Sequence, residues 1–151
     1  MSRVICIGNR YVESDAAGPA LYDYLLGLPL PPDTELIDGG LAGLNLLGFF
    51  EQTERVIVVD TVSGFGERQG PVILSPDQIM PLASDQYGHA AGLPYLLRIL
   101  PEVLEGAMPE IFVVGIDEDW DEPLIADAAR IVLTLLADEV PDGQHTRSQL
   151  R

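Results

Sequence analysis

Short uninterrupted apolar runs alternate along the chain with segments in which apolar residues recur every three or four positions. Val4-Ile5-Cys6-Ile7, Val56-Ile57-Val58-Val59 and Ile111-Phe112-Val113-Val114 are rich in β-branched residues and unbroken by polar ones, the pattern of strands covered on both faces. Glu35-Leu36-Ile37 and Pro71-Val72-Ile73-Leu74 are weaker strand candidates; Pro71, which has no N–H to donate, fits the start of an edge strand. Helical spacing appears between them. Leu21, Tyr24, Leu25 and Leu28 follow Gly18-Pro19 and stop at Pro29, and Leu44 and Leu47 lead to Phe50. Leu93, Leu96, Leu97 and Leu100 share one face of 90–104, and Leu124, Ile125, Ala128, Ile131, Val132, Leu135 and Leu136 mark 123–136. Gly8-Asn9 and Asp38-Gly39-Gly40 read as turns.

This alternation predicts an α/β fold: a three-layer sandwich with a mainly parallel, twisted sheet of about five strands flanked by helices. A single domain over 1–140 and a polar tail over 141–151 are expected, with no linker and no internal repeat. In open α/β sheets ligands bind beyond the carboxyl ends of the strands. The residues that follow each strand are therefore where chemistry is sought.

Composition narrows the field. At 151 residues and 47% hydrophobic content the chain is long and apolar enough to bury a core, despite a net charge of −16. All 8 basic residues are Arg and they are scattered, so the chain lacks the basic footprint of a nucleic-acid binder. Cys6 is the sole cysteine, which excludes an internal disulfide, and its place within a strand makes it a small core residue rather than a nucleophile. Asn9, Arg10 and Glu13 interrupt the first apolar run too early for a signal peptide, and no run approaches the roughly 20 residues of a membrane span. A cytoplasmic, soluble monomer is expected.

Three acids follow strands: Asp15, Asp38 and Asp60. His89, in Ser84-Asp85-Gln86-Tyr87-Gly88-His89, precedes a helical segment. Two carboxylates and an imidazole make a three-ligand site with open positions, and such oxygen and nitrogen donors suit nickel, zinc or iron. Ordinary structural roles compete at each position: a helix cap for Asp15, a turn or cap for Asp60, a turn for Asp38, a cap-region imidazole for His89. Asp117 to Glu122 places five acids around Trp120, either as a solvated entry to the last helix or as part of the same edge as Asp15 and Asp60. P-loop, dinucleotide and Gly-x-Ser-x-Gly fingerprints are absent.

Taken in order, Val4-Ile5-Cys6-Ile7-Gly8-Asn9, Ser14-Asp15-Ala16-Ala17-Gly18-Pro19, Leu36-Ile37-Asp38-Gly39-Gly40, Val58-Val59-Asp60-Thr61-Val62, Gly88-His89 and Val113-Val114-Gly115-Ile116 resemble the nickel–iron hydrogenase maturation endopeptidases, over residues 3 to 136. The resemblance implies that Asp15, Asp60 and His89 are the catalytic and metal-binding residues. It further implies an endopeptidase that recognises nickel already inserted in a hydrogenase large-subunit precursor and removes a short C-terminal peptide. The nickel is then supplied by the substrate. Asp38, Gly39 and Gly40 are candidates for holding the substrate chain, since glycine permits close backbone approach. Ser14 stands where the family has the first acid of its pair and Ala16 where it has a glycine, although Glu13 keeps a negative charge beside them. The competing reading is a non-catalytic α/β chaperone module that binds a metal or metalloprotein. A small-molecule hydrolase is disfavoured by the lack of a nucleophile motif.

Overall fold

The computed structural model describes residues 1–41, 43–62, 70–80 and 92–137. Five strands form one sheet in the order β2-β1-β3-β5-β4: β1 Ser2–Ile7, β2 Thr34–Gly40, β3 Arg55–Val62, β4 Val72–Leu74 and β5 Glu110–Asp117. The first three and β5 are parallel, and β4 pairs antiparallel to β5 at the edge, where Pro71 costs no ladder bond. Helices α1 (Ala17–Leu26), α2 (Pro76–Ile79), α3 (Leu93–Val103) and α4 (Glu122–Ala137) and a 3₁₀ segment at Leu44–Phe50 supply the outer layers. This is the expected α/β sandwich.

The uninterrupted apolar runs are explained by alternation across two covered faces. Val4 and Cys6 of β1, Ile57 and Val59 of β3, and Phe112 and Val114 of β5 pack with Leu21 and Leu25 of α1 and Ile125, Ala128, Val132 and Leu135 of α4. Ile5, Ile7, Val56, Val58 and Val113 point the other way, into Leu46, Phe50, Ile79, Leu93, Leu96, Leu97 and Leu100. Every residue of β3, the central strand, is buried. Burial also explains Cys6: loss of solvent, and then the charges of Asp38 and Asp23, raise its thiol far above the ordinary value, so it is an inert core residue.

One charge is buried where β3 begins. Arg55 donates to Glu110 Oε1 from Nε (3.2 Å) and from an amino group (3.1 Å), and to the Leu135 carbonyl near the end of α4. Its guanidinium lies 5.6 Å from the centre of the Phe112 ring. These contacts fasten α4 to the amino end of the sheet, opposite the edge where function was sought.

Three details depart from expectation. Asp38-Gly39-Gly40 is not a turn but the end of β2, which continues past Ile37. The register passes from Cys6–Asp38 to Ile7–Gly40, so Gly39 is the extra residue of a β-bulge, a device the turn-like composition conceals. Leu44–Phe50 winds as 3₁₀ rather than α-helix. The one-turn helix α2 was not anticipated, although Ser75-Pro76-Asp77-Gln78 carries its signature: the Gln78 N–H donates to Ser75 Oγ (3.3 Å) and the Ser75 N–H to Gln78 Oε1 (2.8 Å). The expected tail over 141–151 lies outside the described residues.

Candidate active site

The carboxyl ends of β1, β2 and β3 converge on the β1–α1 connection. The chain leaves β1 at Gly8, whose φ of +146° and N–H bond to the Gly40 carbonyl (2.8 Å) tie the exits of β1 and β2 together. It then folds back so closely that a Cβ on Gly18 would stand 2.0 Å from the Ile7 carbonyl oxygen. Only glycine fits there. The spacing between Gly8 and Gly18 is thus set by a loop that leaves the sheet and returns against it, and that loop carries Asp15.

Asp15 closes a short 3₁₀ turn, Glu13–Asp15. Its Oδ2 accepts the Asn9 N–H at 3.1 Å, and its carbonyl accepts the same N–H at 3.0 Å. The residue at the helix cap is Ala16, and no side chain caps α1. The helix-cap reading of Asp15 is thereby set aside. Asp60 is likewise no turn or cap, because β3 runs on through Thr61 and Val62. Its carboxyl is 5% exposed and accepts the Thr61 N–H at 2.8 Å. Alternation along β3 puts it on the same face as Val56 and Val58.

Burial raises the Asp60 carboxyl well above the ordinary carboxylate range; the Thr61 N–H opposes this, and the negative charge of Asp15 adds to it. Two carboxyls close enough to repel, one of them stripped of water, gain from a cation that both can reach. The Thr61 Oγ1 next along β3 is buried and makes no hydrogen bond among the described residues.

Asp38, by contrast, is half exposed and points outward from β2 to Arg10, 3.3 Å away; Arg10 also holds Asp23 at 3.2 Å. Gly40 takes up a φ of +62°. The structure therefore brings Asp15, Asp60 and the Asp38-Gly39-Gly40 segment to one edge of the sheet, and His89 lies outside the described residues. Among the described residues no three metal-ligating side chains cluster.

The acidic segment after β5 leads into α4, as the first of its two readings has it. Asp121 Oδ1 accepts the Leu124 N–H at 3.0 Å at the start of α4, and Asp117 Oδ1 accepts the Asp119 N–H at 2.8 Å. Trp120 also donates from Nε1 to the Glu13 carbonyl at 3.0 Å, which brings this loop against the turn that carries Asp15. Sequence reasoning had no signal for a bond between residues so far apart in the chain.

A mainly parallel sheet covered on both faces, with strand exits that converge at one edge, defines an α/β protein of the open-sheet class. Residues 27–132 match the family model described as hydrogenase maturation protease. The chain belongs to that family, and it is a peptidase. It is similar to the hydrogenase 2 maturation protease of Escherichia coli (strain K12), 28% identical over 126 residues that cover 81% of this chain and 76% of that one. Among solved structures it is similar to the hydrogenase maturating endopeptidase HybD from E. coli, with 27% identity, a TM-score of 0.74, and coverage of 89% of this chain and 91% of that one. The endopeptidase HycI from Escherichia coli is similar at 25% identity and a TM-score of 0.64, over 90% of this chain and 88% of its own. No helix among the described residues is long and apolar enough to cross a membrane.

Proposed function

We propose that this chain removes a C-terminal peptide from the nickel-loaded large-subunit precursor of a nickel–iron hydrogenase. In this reading the nickel arrives as part of the substrate, and Asp15, Asp60 and His89 complete its coordination. Asp38, Gly39 and Gly40 hold the substrate chain alongside. The observation that carries the reading is Asp60: a carboxyl buried within the central strand, raised in pKa by burial and by Asp15, serving no turn or cap. Strongly perturbed acids of this kind cluster at functional sites. A divalent ion between the two carboxyls offsets their repulsion and docks the scissile segment at the edge of the sheet. The ion can then assist hydrolysis as a Lewis acid or by activating water.

Ser14 and Ala16 replace the acid and glycine expected around Asp15, yet the turn closes and Asp15 is held at both its side chain and its carbonyl. The test is intact mass spectrometry of nickel-loaded precursor incubated with the wild-type protein, Asp60→Ala or His89→Ala. Loss of a C-terminal peptide with wild type alone supports the reading. Stable co-elution of the two proteins with no change in mass refutes it in favour of a non-catalytic metalloprotein chaperone.

A further inference from the structure

The two most exposed large apolar side chains among the described residues are Tyr11 (90%) and Leu41 (66%). Both leave the sheet at the same place. Tyr11 follows β1 and Leu41 follows β2, and those exits are joined by the Gly8 N–H bond to the Gly40 carbonyl. Val12 and Leu44, also exposed, lie beside them in the chain. Val12 and Asp15 share a turn, since the Asp15 N–H donates to the Val12 carbonyl at 2.8 Å. Tyr11 and Val12 therefore adjoin the turn that carries Asp15, and Leu41 follows the β2 exit that is bonded to Gly8.

The exposure is not slack in the loops. The Tyr11 N–H donates to Asn9 Oδ1 at 2.9 Å and the Val12 N–H to the Asn9 carbonyl at 3.1 Å. Arg10, between Asn9 and Tyr11, is clamped by Asp23 and Asp38. Gly43 accepts the Leu46 N–H at 3.0 Å and starts the 3₁₀ segment just before Leu44. Around Tyr11, Val12 and Leu44 the backbone is held by hydrogen bonds while the side chains face water, the arrangement of a preorganised binding surface. Glu13 and Asp15 follow Val12 closely in the chain, Asp38, paired with Arg10, stands three residues before Leu41, and the chain's net charge is −16.

Resting on the function proposed above, we infer that Tyr11, Val12, Leu41 and Leu44 form the docking rim for the precursor: they receive an apolar segment of its polypeptide, flanked by basic residues, next to the bond that is cut. A peptidase must hold an extended chain across its site, and this rim offers apolar contact continuous with Asp15. The flanking acids favour a segment bordered by positive charge.

The test compares two triple variants of the full chain. Tyr11→Ser/Leu41→Ser/Leu44→Ser alters the rim; Leu26→Ser/Val103→Ser/Met108→Ser alters three other exposed apolar residues elsewhere. Processing of nickel-loaded precursor gives KM and kcat, light scattering gives the Kd for the same precursor, and urea midpoints confirm folding. The rim variant should raise KM and Kd at least tenfold with kcat within twofold, and the control should change neither. Unchanged Kd in the rim variant, or an equal loss in the control, overturns the inference. If the rim triple unfolds, Leu41→Ser alone is read the same way, with a threefold rise expected. Wild type that binds without cutting would sink the proposed activity while leaving the rim to be judged by Kd; wild type that neither binds nor cuts refutes the rim's occupant.

Discussion

Replacing Gly18 by Ala tests the close approach that brings Asp15 to the sheet. The new Cβ would stand 2.0 Å from the Ile7 carbonyl oxygen and 2.9 Å from its carbonyl carbon. Ordinary contact begins near 3.4 Å, so α1 and β1 must separate by about 1.4 Å. Neither partner is a flexible side chain; both are backbone, and Ala17 and Leu21 beside them are fully buried. Overpacking of this kind costs about 3 kcal/mol, the upper part of its usual range, because nothing nearby can yield. Two other glycines calibrate the value. Gly40→Ala meets no atom within 4 Å but must hold a φ of +62°, for a cost of about 1 to 2 kcal/mol. Gly27→Ala meets only the Tyr24 carbonyl, at 3.7 Å, with an ordinary φ, and should be neutral or stabilise by about 0.5 kcal/mol. Urea unfolding at constant m gives all three. Gly18→Ala with a midpoint equal to wild type, or ranked above Gly40→Ala, would refute the close-approach argument.

Asp60→Asn should stabilise the metal-free protein near neutral pH. Because the folded carboxyl has a raised pKa, the unfolded chain ionises first, so wild type loses stability as pH rises through the unfolded value of about 3.9 and continues to lose it up to the folded pKa. The advantage of the variant must shrink in acid; urea midpoints that differ equally at about pH 3.5 and about pH 7 would contradict this. Arg55→Met removes the guanidinium's bonds to Glu110 and to the Leu135 carbonyl and should cost about 3 kcal/mol, the low end for a broken buried pair because Glu110 keeps 23% exposure. Adding Glu110→Gln should recover part of the loss, as read by thermal unfolding. Thr61→Val removes a buried hydroxyl that has no partner among the described residues and should raise stability by about 1 kcal/mol; a comparable loss by calorimetry would mean that the hydroxyl does hold a partner.

The strands were legible because burial on both faces leaves no polar interruption, and Val4 to Ile7, Val56 to Val59 and Ile111 to Val114 needed no tertiary information. Asp60 was legible as a candidate because an acid directly after such a run is out of place, but its depth was not: β3 extends two residues beyond it, and only the pairing with β5 shows that. The bulge at Gly39 was hidden for the opposite reason, since Asp-Gly-Gly has the same composition whether it turns or continues a strand. Asp38 shows the limit of local reading, for its partner Arg10 is reached only after β1 and β2 are set side by side. Ser75 and Gln78 form a capping box that local sequence alone is enough to specify.

The bond from Trp120 to the Glu13 carbonyl has an experimental use. Trp120 is the sole tryptophan of the chain, so emission excited on the red side of the indole band comes from one ring, seated against the turn that carries Asp15. Ligand arrival at that edge, or unfastening of the turn, changes the ring's hydrogen bond and its access to water together. The protein thus carries a built-in optical reporter of its candidate site, usable in stopped flow without any label.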